Sequence, residues 1–439
     1  MAQLGQEVLT VVIVGGSIAG LSCAHSLLHC HKLQEADVGT TAPVRLDVVV
    51  LERARRPTDA GAGLGLDPSS CDILTKWGLP VLSETAPLSY EENRIFHHIH
   101  QKWVTVSKDQ SYAHRAAHWS DIHRILYDSL PNDVVKWGHE VDAMDTTADG
   151  MHVNVHFKKG DSSVSEMISA NLVIAADGSM SETRRQFLPH ENRRYCGYYA
   201  WRGVLDASSE KAMNVKATLR QQYPDLGHCL YFDIANNAHA VLYELKGGRL
   251  NWLWYVNQPV PDLSGSSVTA KADDERIERM RMEAKHVWSQ ELASLMQLTP
   301  APFINAIFDR EPLKQLVWGR VVLVGEAAHP TSPHGLRSTN MSIMDAAVLG
   351  ECMTNCGWQV DMALKEFEAL RLPVVSQQVL FSRHLGQVKQ GLTPVQLPDL
   401  LISNDFEWER LLQRNMHTQS SVIENHSKGC INWHSDFQI

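Results

Sequence analysis

The sequence predicts an α/β fold in which an open parallel sheet is interleaved with a mixed-sheet domain and followed by C-terminal helices. Three observations predict it. The β-branched run Val8–Val14, the segment Val44–Leu51 that finishes in the apolar run Val48–Leu51, and the short, fully apolar runs Leu172–Ala176 and Val321–Val324 lead into turn residues, most of them Gly-bearing, as parallel strands covered on both faces do. Between the third and fourth lies a block with another texture, Tyr195–Asn257, rich in Tyr and Trp with partial alternation. The strands are too far apart for one continuous sheet domain, which predicts two interleaved domains and not beads on a string.

Taken in order, Val8–Val14 is β-branched and ends at a glycine cluster, and Leu21–Leu28 then has helical apolar spacing. The next strand, Val44–Leu51, is preceded by the polar stretch Gln34–Pro43, which reads as an insertion. Tyr231, Tyr243, Trp252 and Trp254 mark an antiparallel sheet with one face lining something. Lys271–Leu295 reads as a charged, solvated helix, Asp361–Arg383 as C-terminal helices, and the end of the chain as a polar periphery. The resulting division is 1–84, 113–194 and 305–360 for the parallel-sheet domain, 85–112 and 195–304 for the second domain, and 361–439 for the C-terminal helices and tail.

Composition narrows the function. The 439 residues are 44% apolar and 21% charged, which supports a large packed core. Lys and Arg number 40 against 50 Asp and Glu, and the net charge of −10 argues against a nucleic-acid protein and against docking on an anionic membrane. The eight cysteines include no CxxC pair, so they read as reduced thiols in a cytoplasmic setting. Leu9–Leu28 is uncharged, but it lacks the basic flank of a signal peptide and reads as a buried strand running into a helix, with no integral membrane span. The 22 histidines, His97, His98 and His100 among them, have no coherent ligand spacing, so no metal is expected.

Three motifs carry the chemistry. In Val14-Gly15-Gly16-Ser17-Ile18-Ala19-Gly20, Gly15 would make the tight turn and Gly20 would let helix and strand pack closely. The small Ser17 between them would let a pyrophosphate reach the helix N-terminus. Glu52, at the end of the next strand, would accept hydrogen bonds from ribose hydroxyls; the insertion lengthens its spacing beyond the usual roughly 20 residues. The second motif is Ala175-Ala176-Asp177-Gly178-Ser179-Met180-Ser181 with Arg184. The third is Gly325-Glu326-Ala327-Ala328-His329-Pro330-Thr331-Ser332-Pro333, continuing to Asn340 and Asp345-Ala346-Ala347.

With these three in order, residues 8 to about 390 resemble the FAD-dependent aromatic monooxygenases typified by para-hydroxybenzoate and salicylate hydroxylases. Gly61-Ala62-Gly63-Leu64-Gly65-Leu66 is similar to the family's glycine-rich segment beside the flavin, and Trp201-Arg202-Gly203 resembles the 2,6-dihydroxypyridine hydroxylase branch. The resemblance implies a Rossmann-like FAD-binding domain. It places Ser17, Ile18, Ala19, Glu52, Arg53, Gly63, Leu64, Arg115 and Val141 at the cofactor. Asp177 and Gly178 would lie near the pyrophosphate with Arg184 anchoring them, and Gly325-Glu326 would face the ribitol. Pro333 would sit beside the isoalloxazine, where reduced flavin and oxygen form the C4a-hydroperoxide, and Asn340 would stabilise a helix facing the flavin.

Departures from the family pattern are Glu326 in place of Asp, Leu336 and Ser338 in place of glycines, and Trp119 in place of an Arg, for which Arg115 is the candidate substitute. His334 is the candidate catalytic base beside Pro333, whereas His329 reads as a packing residue. Tyr198, Trp201, Tyr243 and Trp254 are the candidate substrate wall. The expected activity is an FAD-dependent, NADPH- or NADH-consuming hydroxylation of a small aromatic or heterocyclic substrate with molecular oxygen, by a monomer or homodimer. The rival readings are an epoxidase or oxidative decarboxylase on the same scaffold, and a flavin-binding protein without turnover.

Overall fold

The computed structural model describes residues 7–36, 44–97, 102–263 and 268–392. Most of the Gln34–Pro43 insertion, His98, His100, Cys430 and the polar tail lie outside the described residues, as does the side chain of His97.

The four apolar runs form the centre of a six-stranded sheet. Its order is Val317–Trp318, Val321–Leu323, Leu172–Ala175, Glu7–Val14, Val44–Glu52 and Val135–Trp137. All neighbours are parallel except the first pair. Val11 faces Val48 on one side and Leu172 on the other, and the sheet is buried on both faces. One face is covered by helices Ile18–Ala36 and Arg337–Asn355, packed on each other. Against the other packs an antiparallel sheet of His139–Thr146, Val153–Lys159 and Ser165–Ala170.

The Tyr/Trp-rich block forms the middle of an eight-stranded sheet. Arg194–Leu205, Leu250–Asn257, Ala238–Glu244 and Cys229–Ala235 run antiparallel, as the alternation predicts. Tyr90–His97 then joins in parallel with Cys229–Ala235, which makes the sheet mixed. One face is covered by helices Glu210–Gln222, Asp274–Val287 and Gln290–Leu298, and the other looks toward the first domain.

Two elements differ from expectation. Lys271–Leu295 is two helices: Trp288 leaves helical geometry and buries its ring against Trp254, while Ser289 caps the second helix by accepting from Leu292 N. At the C-terminus a single helix, Val360–Lys389, runs through Pro373. It extends beyond Arg383 because Phe381, Leu385 and Lys389 continue one face inward.

Candidate active site

The two domains enclose a cavity of about 1810 Å³, large against the roughly 300–1,000 Å³ of ordinary ligand sites and so able to take a dinucleotide and a second molecule. At one end, the chain turns from strand Glu7–Val14 into helix Ile18–Ala36. Gly15 has φ +102°, and a Cβ there would lie 2.5 Å from Ala176 O. Ser17, Ile18 and Ala19 line the cavity at the helix N-terminus, whereas Gly15 and Gly20 lie behind them as packing residues. Glu52 accepts from Gly16 N and Ala54 N, both at 2.7 Å, so it fixes the shape of the turn.

Gly178 also lines this end. Asp177 holds its turn by accepting from Thr183 N at 3.0 Å, and its Oδ1 is buried with no hydrogen-bond partner. Arg184 is buried beneath and donates to Ser179 O (2.8 Å) and Ala327 O (2.6 Å), which ties the second motif to the third. Burial, then Arg310, pull its guanidinium down to about 10 against the carboxylates of Glu191, Asp177 and Glu326.

The third motif is held by a buried carboxylate. Asp345 accepts from Gly325 N (2.9 Å), His329 Nε2 (2.5 Å) and Arg371 Nε (2.8 Å). Burial alone would raise the Asp345 pKa, but His329, Arg371 and these hydrogen bonds outweigh it and hold the carboxyl at about 2. His329 is thereby a structural residue. Gly325 sits on this scaffold, and Glu326, Pro333 and His334 project from it to the cavity.

Midway along the cavity, Gly63 and Leu64 line one wall, with Gly63 N donating to Asn251 Oδ1 at 2.7 Å and Gly63 O accepting from Arg202 at 3.0 Å. A Cβ on Gly63 would lie 2.6 Å from Tyr243 OH, so position 63 has no room for a side chain. Asn340 does not reach the cavity. It donates to Gly65 O (3.0 Å) and Leu336 O (2.6 Å) and accepts from Asp67 N (3.1 Å), which bolts the helix to that strand.

The departures from family pattern lie here too. Ser338 Oγ donates to Glu326 at 2.6 Å. Leu336 is left-handed (φ 54°, ψ 41°), and its side chain fills the space beside Gly65. Its conformation costs about 1–2 kcal/mol, close to what its partly buried side chain contributes. Leu336→Gly is therefore expected to change stability by less than about 1 kcal/mol in a urea titration while FAD binds more tightly, because the wall recedes. Weaker FAD binding would show instead that the leucine supports the ring.

At the far end the expected substrate wall is partly corrected. Trp201 and Trp254 pair across neighbouring strands, but both point to the opposite face, under the helices, with Trp252. The cavity face carries the alternate residues Ala200, Arg202, Leu253 and Tyr255, together with Tyr243. Tyr198 stands behind His334, its hydroxyl 3.3 Å from Nδ1. Three cofactor expectations also fall away from the cavity. Arg115 is committed to Thr85 and to the carbonyl of Leu82, Arg53 is exposed, and Val141 belongs to the lateral antiparallel sheet and packs on the core beneath it. Trp119, at the position where the family has an Arg, does line the cavity and stacks on His123.

Residues that sequence reasoning missed gather at this end. His239 stacks on Tyr255 (4.3 Å between centroids) and pairs through Nδ1 with Gln390 Oε1 at 2.9 Å. Because Gln390 Nε2 donates to Asn257, its Oε1 accepts, so the proton of His239 is on Nδ1 and Nε2 is a bare acceptor. Burial and Lys389 pull His239 down to about 3, and burial, His239 and Lys389 pull His334 well below the usual histidine range. Both imidazoles are neutral at pH 7.

The family described as FAD binding domain matches residues 8–382. The chain belongs to that family. An aurachin C monooxygenase/isomerase from Stigmatella aurantiaca is 25% identical over 391 residues, covering 87% of this chain and 90% of the relative. A 3-amino-4-hydroxybenzoate 2-monooxygenase from Streptomyces platensis is 26% identical over 415 residues, 91% and 94% of the two chains. The fold matches 2,6-dihydroxypyridine-3-hydroxylase from Arthrobacter nicotinovorans with a TM-score of 0.71 at 20% identity, covering 88% and 94%. The chain is an FAD-dependent monooxygenase. The glycine turn, the helix N-terminus behind Ser17 and the orphaned Asp177 Oδ1 fit that cofactor. Among the described residues no group of three or more His, Cys, Asp or Glu could hold a metal ion, and no helix is long and apolar enough to cross a membrane.

Proposed function

We propose that the chain hydroxylates a small aromatic or N-heterocyclic ring at the expense of NAD(P)H, in the cytoplasm, as a monomer or homodimer. The observation that carries this reading is the continuity of the cavity. It joins a dinucleotide cradle at Ser17–Ala19 to an apolar, partly aromatic chamber at Phe232, Tyr243, Leu253 and Tyr255. FAD would be held by the turn and helix start at Ser17–Ala19, the strand at Gly63–Leu64 and the turns at Gly178 and Glu326, and would supply hydride acceptance and oxygen activation.

The chain's own residues then orient the ring and exclude water. A flat ring fits between the strand Gly63–Leu66, the Pro333–Leu336 turn and the sheet face, where the lining side chains are mostly apolar. The bare Nε2 of His239 accepts a hydrogen bond from a ring hydroxyl. With its pKa near 3 it orients that hydroxyl and does not store the proton at neutral pH.

The test loads the protein with FAD and follows NADPH oxidation with and without 3-hydroxybenzoate, 6-hydroxynicotinate and 2,6-dihydroxypyridine. Stimulated oxidation with a product one oxygen atom heavier is expected from at least one. Equal background oxidation across a broad aromatic panel, with FAD demonstrably bound, would favour a flavin-binding protein without turnover.

A further inference from the structure

The C-terminal helix Val360–Lys389 closes the substrate end of the cavity. Phe381, Leu385 and Lys389, spaced by four, all face inward. The helix comes this close because residue 386 is a glycine. A Cβ there would overlap Tyr198 OH and lie 2.7 Å from His334 Nδ1. The consequence is a lysine in an unusual place. Lys389 is 2% exposed, yet it lines the cavity beside His239 and His334.

Its ammonium lies 3.1 Å from the centre of the Phe232 ring. The carboxylate that bears on it is Glu91, which acts through space with no hydrogen bond or ion pair to it among the described residues. The helix C-terminus adds some stabilisation of a cation at its last residue. These terms are small beside the cost of burying an unpaired charge, and burial, opposed by Glu91, draws Lys389 down to about 8. A surface lysine could be accommodated here only by turning outward. This one is held inside, where the missing partner is an anion.

We propose that Lys389 is the substrate anchor: its ammonium, set into the chamber by the C-terminal helix, pairs with an anionic oxygen, carboxylate or phenolate, on the aromatic substrate. This rests on the hydroxylase reading and specifies which compounds the chamber selects. The neighbouring groups fit the assignment. His239 and His334 are neutral and do not compete for the anion, and the flat apolar walls of Phe232 and Leu230 take the ring. An arriving anion would favour the charged form of Lys389 by direct pairing and so offset the effect of burial.

The experiment reads binding and not turnover, through the perturbation of flavin absorbance in oxidised, FAD-loaded protein. The probes are 3-hydroxybenzoate against 3-hydroxybenzamide for a carboxylate, and 4-nitrophenolate against nitrobenzene for a phenolate. At least one anion is expected to bind the unaltered protein roughly 10-fold more tightly than its neutral partner. Lys389→Met should erase that preference while leaving the neutral compound's affinity unchanged, and Lys389→Arg should keep part of it. Should Lys389→Met fail to hold FAD, the comparison is read between the unaltered protein and Lys389→Gln. Absence of any anion preference in the unaltered protein, including no binding at all, overturns the proposal, as does a preference that survives in the Met or Gln variant. A protein that shows the preference but never hydroxylates would instead overturn the hydroxylase reading and leave the anchor standing.

Discussion

Asp345→Ala is expected to lower unfolding stability by about 3–5 kcal/mol, seen as a reduced urea midpoint with unchanged slope. The carboxylate is 1% exposed and satisfies three donors at once, two of them on His329 and Arg371, each 2% exposed. Removing it strands a buried guanidinium and the Gly325 amide, which is where the cost arises. Adding Arg371→Met should recover part of the loss, because the stranded charge is then gone. A loss under about 1 kcal/mol would mean that water reaches the cluster and replaces the carboxylate.

The same residue sets an acid limit. Its folded pKa is depressed from 3.8 to about 2. The stability linked to this shift is present above the unfolded value and disappears as pH falls through the folded one. It amounts to the order of 2 kcal/mol. The unaltered protein should therefore lose this increment between about pH 4 and pH 2, and Asp345→Ala should lack it, so that the two stability curves converge in acid.

The parallel sheet could be read from the chain because each of its central strands is a buried, β-branched run and most end in glycine. Val8–Val14 and Leu172–Ala176 need no partner to be recognised, since burial on both faces removes polar alternation. The eight-stranded sheet was half readable. Period-two alternation separates Trp252 and Trp254 from Leu253 and Tyr255, but nothing in it says which set faces the helices and which the cavity. The larger rings went under the helices, where more apolar area is removed from water, so Trp201 and Trp254 serve the core. Arg115 failed for a related reason: its strand presents it to the carbonyls around Thr85. Lys389 and His239 were out of reach, because their meeting depends on a distant helix packing closely on Tyr198 and His334 at Gly386.

Gly20→Ala is expected to abolish FAD retention, although alanine is the better helix former. Gly20 lies in helix Ile18–Ala36 without special backbone geometry, so propensity alone would favour alanine by roughly 1 kcal/mol. The opposing effect is steric. The added Cβ would overlap the carbonyl oxygen of Gly15 and stand 3.2 Å from Ile13 Cγ2. Neither can yield easily: Gly15 N is bonded to Leu51 O at 2.9 Å, and Ile13 is in the centre of the sheet. The helix must move, and its N-terminal amides move with it, away from the place where they would meet a pyrophosphate. Overpacking of this kind costs about 1–3 kcal/mol. Because the same amides would hold the cofactor in the proposed site, affinity for FAD should fall by about 100-fold or more. The two effects have opposite signs on the melting temperature of the apoprotein, which makes the outcome decisive. A rise in melting temperature with normal flavin absorbance would show that propensity wins and that helix and strand are not in close contact at Gly20.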